Sequence, residues 1–182
     1  MKDARSRMGL SRFQLLAFGS AAGLIGSPLL TALAAAAQAA DPADIDTLNT
    51  AIALERAGIK AYADAAATGL LSKPVLALAG RFVADHTAHR DALIGAVLAA
   101  GATPSTAPAP IAYPTLATEH DVLAFAQVVE MKAASTYLSV IPDLKNRTLA
   151  GVAASILGVE TTHVALLAEA LQTRVYASGF VA

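Results

Sequence analysis

The sequence has no cysteine and no tryptophan, and only 5% of its 182 residues are aromatic. Without a thiol, a disulfide framework, a cysteine nucleophile, a thiolate zinc site and an iron–sulfur cluster are all excluded. Charge is scarce as well: Asp, Glu, Lys and Arg make up 15% of the chain, below the quarter typical of soluble domains. With 55% apolar residues and a mean hydropathy of +0.55, the composition is not that of a disordered chain. A net charge of −1 offers no long-range attraction to nucleic acid or acidic lipid. Any metal must be held by His, Asp or Glu. Much of the apolar excess is alanine, the best helix former and a poor strand former.

The charge that is present is unevenly spread. Residues 1–39 carry Lys2, Arg5, Arg7 and Arg12 against Asp3, a balance of +3 that leaves −4 for the remainder. An uncharged stretch then runs from Phe13 to Ala40, interrupted by Gly19, Gly23, Gly26 and Pro28. It closes on Ala37-Gln38-Ala39, the small-x-small pattern that signal peptidase reads. The expected organisation is a signal peptide over residues 1–39 and one helical domain over residues 40–182. The stretch is long enough to span a bilayer, but its Gly and Pro residues and the cleavage pattern favour removal over a retained anchor. No stable membrane span is expected after cleavage. Ser11-Arg12-Phe13-Gln14-Leu15-Leu16 is similar to a twin-arginine export motif with one arginine of the pair missing, which leaves the export route open. The mature protein is expected in the periplasm, the cell envelope or the medium.

Four helices are expected in the mature chain. Asp41-Pro42 reads as an N-cap followed by proline at the first helical position, and apolar residues recur from Ile45 through Leu48, Ile52 and Ile59 to Gly69. Ser72-Lys73-Pro74 opens a second helix through Leu78, Phe82, Leu93 and Val97 to Gly101. Residues 102–117 contain Pro104, Pro108, Pro110 and Pro114 and are not helical. Thr118 with Asp121 resembles a capping box and opens a third helix to Val140. Ile141-Pro142-Asp143 breaks it, and a fourth helix is expected from Lys145 to Val175. Short connections make each pair an antiparallel hairpin. The 16 residues between the pairs reach about 53 Å extended, against about 37 Å for a 25-residue helix. That suits a crossover from one end of the bundle to the other.

With so few charges, those within apolar helices stand out. The first helix has Glu55, the second Asp85-His86-Thr87-Ala88-His89, the third Glu130, and the fourth Glu160-Thr161-Thr162-His163. Glu160 and His163 are three residues apart and share a helix face, as do His86 and His89. A dimetal bundle site needs this pattern: one acid from each of two helices and an acid-x-x-His pair from each of the others. The midpoint of Glu55 and His86 falls at residues 70–71, in the first hairpin turn, and that of Glu130 and Glu160 falls at residue 145, by the second. Antiparallel partners equidistant from their turn lie at one height, so all four helices place these residues in one layer. The halves also read as a weak repeat, Glu55 preceding Tyr62 and Glu130 preceding Tyr137 by seven residues.

On Ala53-Leu54-Glu55…Tyr62, Phe82-Val83-Ala84-Asp85-His86…His89 leading to Ala100-Gly101-Ala102-Thr103-Pro104, and Val159-Glu160-Thr161-Thr162-His163, the chain resembles the ferritin-like superfamily over roughly residues 44–175. It looks most like the exported, signal-bearing members in bacteria, a group that includes desiccation-related proteins. The resemblance implies an all-α, antiparallel four-helix bundle of two hairpins joined by a long crossover, preceded here by a signal-peptide helix. It also implies metal ligation by Glu55, His89, Glu130, Glu160 and His163. The position matching the family's bridging acid is His86, with Asp85 beside it; either could ligate, and the loss of a carboxylate there opens a mononuclear, altered or vestigial site.

The remaining features have plainer readings. Tyr62 and Tyr137 read as core or supporting residues, Glu119-His120 as a helix-start feature, and Arg56, Arg81 and Arg90 as solvated charges. Asn146-Arg147-Thr148 matches a glycosylation sequon that carries little meaning in a bacterial-type chain. Met131 is the one methionine of the mature chain, which argues against haem, and no Ser or Thr has a paired base. The expected function is an exported metal-binding protein holding iron or manganese, up to two ions, on Glu55, His86, His89, Glu130, Glu160 and His163, a donor set that also admits zinc. If it is an enzyme, it is a metal-dependent oxidoreductase of ferroxidase type. The alternative is a non-enzymatic envelope or stress-related scaffold with a degenerate site. Metal ions are the expected partners and nucleic acid is not; self-association is left open.

Overall fold

The computed structural model describes residues 28–38 and 40–174. Among them the structure is all helical: α1 (Pro28–Gln38), α2 (Pro42–Ala67), α3 (Lys73–Ala99), α4 (Glu119–Val140) and α5 (Arg147–Ala170), with a 3-10 turn at Ile141–Asp143. The local chemistry explains the boundaries. The Asp41 side chain accepts from the Ala43 N–H at 3.0 Å ahead of Pro42. Thr118 and Asp121 form the reciprocal capping box, Thr118 Oγ1 accepting from the Asp121 N–H and the Asp121 carboxylate from the Thr118 N–H. Gly101, at φ 72°, ends α3 in a left-handed turn, with the Ala102 N–H donating to the Val97 carbonyl. Asn146 is the N-cap of α5, accepting from the Thr148 and Leu149 N–H groups.

α5 stops at Ala170 rather than at Val175, which lies outside the described residues. Gln172 adopts φ 55° and the Thr173 N–H donates to the Ala168 carbonyl at 2.9 Å. A left-handed closing turn made by glutamine carries no glycine to mark it in the sequence.

α2 packs on α3 and α4 on α5, each pair antiparallel, and the hairpins meet chiefly along α2 and α4. The crossover lies along the outer side of α2. Asn49 donates to the Thr103 carbonyl and accepts from the Ser105 N–H, Arg56 Nε donates to the Ser105 carbonyl, and the Ala109 N–H donates to the Ala53 carbonyl. Farther along, the Tyr113 hydroxyl reaches Asp64 at 2.6 Å. Arg56, expected in solvent, is therefore a clamp on the crossover.

At the end of the bundle that holds the α4–α5 turn, Asp44 is buried and accepts from the Lys145 and Asn146 N–H groups, both at 2.9 Å. α1 packs there against α3 and α5, burying Leu33 and Ala37 in the same apolar cluster as Leu48, Ile52, Val97 and Leu149. The last stretch of the expected leader thus occupies a place in the core as a fifth helix. Residues 1–27 and Ala39, and with them the twin-arginine-like motif and the expected cleavage position, lie outside the described residues. α5 is long and apolar enough to cross a membrane, yet it is also the helix that carries the buried Glu160 and His163.

Candidate metal centre

All six side chains singled out in the sequence come together in one layer across the bundle. α2 brings Glu55, α3 brings His86 and His89, α4 brings Glu130, and α5 brings Glu160 and His163. On every helix these residues fall between two apolar clusters. One contains Leu48, Ile52, Leu93, Tyr137 and Ile156, and the other Tyr62, Phe82, Leu123, Ala126 and Leu167. Water is excluded from both sides: Glu55, Glu130, Glu160, His86 and His163 are each 2% exposed or less. The His89 side chain is the most open, at 13%.

His86 sits in the middle. Its Nδ1 lies 2.8 Å from Glu55 Oε2 and 3.7 Å from Glu160 Oε1, while its Nε2 lies 3.2 Å from Glu130 Oε1. His89 Nδ1 faces Glu160 Oε1 at 3.2 Å and Glu55 Oε2 at 3.6 Å. His163 Nδ1 faces Glu130 Oε2 at 3.3 Å and Glu160 Oε2 at 3.7 Å. The two tyrosines cross between hairpin halves, Tyr62 donating its hydroxyl to Glu130 and Tyr137 donating to Glu55. The result is a pseudo-twofold arrangement in which Glu55 matches Glu130, Tyr62 matches Tyr137, His89 matches His163, and His86 stands opposite Glu160. A model of the ferritin-like domain matches residues 43–173. The chain belongs to the ferritin-like family.

Two solved structures show the same fold. A conserved hypothetical protein of Mycobacterium tuberculosis aligns with a TM-score of 0.65 and 23% identity, covering 76% of this chain and 96% of its own. A ferritin-like, diiron-carboxylate protein of Bacillus anthracis str. Ames aligns with a TM-score of 0.59 and 20% identity, covering 80% and 99%. No curated protein matches the sequence. The ferritin-like family explains the bundle and the crossover; the chemistry has to be read from the side chains.

Between Asp85 and His86, the side chain that turns into the layer of this ferritin-like domain is His86. Asp85 is half exposed and approaches His163 from outside, its Oδ2 3.2 Å from Nε2. That contact leaves Nδ1 of His163 for the interior and fixes the ring's orientation, which Phe82 reinforces by stacking on the imidazole at 3.9 Å. Neither partnership is readable from the sequence beyond the placement of Phe82 one turn before His86, because both cross from α3 to α5.

Burial alone would raise the Glu55 and Glu130 carboxyls, but the imidazoles facing them (His86 and His89 at Glu55, His163 and His86 at Glu130) hold both well below the usual carboxylate range. Burial would likewise depress the histidines. The surrounding carboxylates outweigh it, lifting His86 to about 10, His89 to about 9 and, with Asp85 contributing most, His163 to about 11. Tyr62 and Tyr137 are pushed up by burial and by Glu130 and Glu55 respectively, so both stay neutral donors.

The donors form two overlapping groups: Glu55, His86, His89 and Glu160; and His86, Glu130, Glu160 and His163. Within each group one atom per residue lies within 4.8 Å of the others. Carboxylate oxygens and imidazole nitrogens are suitable ligands for iron, manganese or zinc. Both oxygens of Glu160, and Nδ1 of His89, are buried without a hydrogen-bond partner. Glu160 then has only charge contacts, with His89 at 3.2 Å and with His86 and His163 at 3.7 Å. A buried polar group without a hydrogen bond is costly, and a cation in the first group would supply the directed partner that both residues lack. The donor set fits a metal ion.

Proposed function

We propose that this ferritin-like protein is exported and holds iron or manganese on Glu55, His86, His89, Glu130, Glu160 and His163, acting on iron(II) by oxidation or sequestration. The observation that carries the reading is the buried Glu160 carboxylate, with no hydrogen bond to either oxygen, facing a His89 nitrogen that also has none, 3.2 Å away in a sealed layer. The diiron-carboxylate description of the Bacillus anthracis relative supports iron as the metal. The +3 leader with its Ala37-Gln38-Ala39 ending supports export.

Bound iron would supply electrons to oxygen or peroxide. The rest is the work of the chain's own groups. Glu55, Glu130 and Glu160 supply three negative charges that favour the more highly charged oxidised ion. Tyr62 and Tyr137 hold Glu130 and Glu55 in orientation through O–H donation. Asp85 keeps the His163 Nδ1 lone pair turned inward by accepting at Nε2. The apolar clusters above and below keep bulk water out, which strengthens every charge interaction in the layer.

A second reading, a bundle used as a scaffold with a degenerate site, is favoured by one observation. His86 already bonds Glu55 and Glu130, satisfying two of the three acids without any metal. Metal analysis of protein purified without its leader separates the two. The metal-binding reading expects iron or manganese in the wild type and none in a Glu160→Ala, His163→Ala variant that still melts cooperatively. The same trace content in both would leave the scaffold.

A further inference from the structure

The two donor groups share His86, but the ring cannot serve them equally. A neutral imidazole has one lone pair and one N–H. Nδ1 faces the first group, 2.8 Å from Glu55 and 3.7 Å from Glu160, whereas Nε2 points the other way, 3.2 Å from Glu130. The unpartnered atoms are not shared evenly either. His89 Nδ1 and Glu160 Oε1 face each other in the first group, while in the second His163 Nδ1 is bonded to Glu130 and Nε2 to Asp85, and Glu130 accepts from Tyr62. Two of the three atoms left without a hydrogen bond, His89 Nδ1 and Glu160 Oε1, lie on the first side of His86. On the second side only Glu160 Oε2 is open, 3.7 Å from His163 Nδ1, while the other donor atoms there are held by hydrogen bonds.

The ring reaches this central position because of Gly58, one turn after Glu55 on α2. A Cβ there would stand 2.9 Å from His86 Nε2, 3.0 Å from Cε1 and 3.1 Å from Cδ2. The ring has little room to retreat, since its nitrogens are held by acids on α2 and α4 and the Tyr62 and His163 rings flank it at 5.9 and 5.5 Å. Among the described glycines no other has a neighbour within 4 Å of that point. An interior glycine weakens a helix relative to alanine, so the space it leaves at position 58 has a use.

We infer that this centre binds one metal ion per chain, on Glu55, Nδ1 of His86, Nδ1 of His89 and Glu160. His86 closes the second position by donating its Nε2–H to Glu130, and Gly58 is the positioning residue that admits the ring. The inference rests on the metal-binding reading above and sharpens it: replacing a carboxylate with an imidazole makes the site mononuclear.

The test is anaerobic titration of full-length, metal-free protein with Fe(II) and with Mn(II), followed by calorimetry and by metal analysis after gel filtration. Wild type is expected to take up one ion per chain. His86→Glu, which restores a carboxylate, is expected to take up two. Gly58→Ala is expected to weaken binding about 10- to 100-fold, the range for changes that misorient a ligand, while its metal-free melting stays cooperative. In the double variant Gly58→Ala, His86→Glu the glycine no longer matters, so two ions are expected again; a merely structural glycine would not be rescued in this way. Two tightly bound ions in the wild type, or unchanged affinity in Gly58→Ala, would overturn the one-ion assignment and leave the metal-binding reading standing. A wild type that binds neither metal overturns both.

Discussion

At the scale of single residues, the three buried acids are unequal. Glu55 and Glu130 each accept from a tyrosine hydroxyl and an imidazole, whereas neither oxygen of Glu160 has a hydrogen-bond partner. Glu160 is nonetheless flanked by His89 at 3.2 Å and by His86 and His163 at 3.7 Å. Glu160→Gln is therefore expected to lower the melting temperature of the metal-free protein at neutral pH by removing a charge partner of these histidines, while abolishing metal retention. A raised melting temperature would show that these histidines are neutral in the metal-free protein. Tyr137→Phe is expected to be destabilising as well, costing about 1–3 kcal/mol in urea unfolding of the metal-free protein by depriving Glu55 of a donor. Asp85→Asn leaves His163 in place but weakens its outer partner. Because His163 lies outside the four ligands assigned to the single ion, metal affinity in the Fe(II) titration is expected to stay close to that of the wild type, and a large loss would place His163 among the ligands.

At the scale of elements, α1 and the crossover are the informative pieces. Leu33 is 2% exposed in the cluster shared by α3 and α5, and the Asn146 side chain donates to the Ala36 carbonyl. Leu33→Ala is expected to cost about 2–5 kcal/mol in a chain that retains α1 and to be irrelevant in one that starts at Asp41. Urea unfolding of the long and short forms, each with and without the substitution, measures whether the helix contributes to the domain or leaves with the signal. The crossover depends on a few polar contacts to α2, including Arg56 Nε to the Ser105 carbonyl. Arg56→Ala is expected to speed proteolysis within residues 102–117 with little change in overall melting.

At the scale of the whole molecule, the buried layer links stability to pH, and metal reverses the direction. The histidines have folded-state values raised to about 9–11, so their stabilisation is complete below about 6.5 and is lost as pH rises towards those values. Glu55 and Glu130 are depressed, so theirs is complete above about 4.5 and is lost as pH falls. The metal-free protein is expected to be most stable between about pH 4.5 and 6.5. Metal ions compete with protons for the same nitrogens, so the rise in melting temperature on loading is expected to grow between pH 6.5 and 9. A rise that shrinks over that interval would show that the histidines are not ligands.

What the sequence determined by itself is whatever depends on spacing along one chain. The caps at Asp41 and Thr118, the stop at Gly101, the two hairpins and the long crossover follow from local chemistry and loop length. The common height of Glu55, His86, Glu130 and Glu160 follows from their distances to the turns. What needed the tertiary structure is whatever depends on directions between helices. That His86 turns inward while Asp85 grips His163 from outside, that Tyr62 and Tyr137 each serve the opposite hairpin's acid, and that Gly58 leaves room for an imidazole all depend on how the helices are rotated about their axes. The place of Pro28–Gln38 in the core was equally hidden, because a run of alanine and leucine reads the same in a leader as in a packed helix. Periodicity tells how high a residue stands in a bundle; packing decides which neighbour it meets.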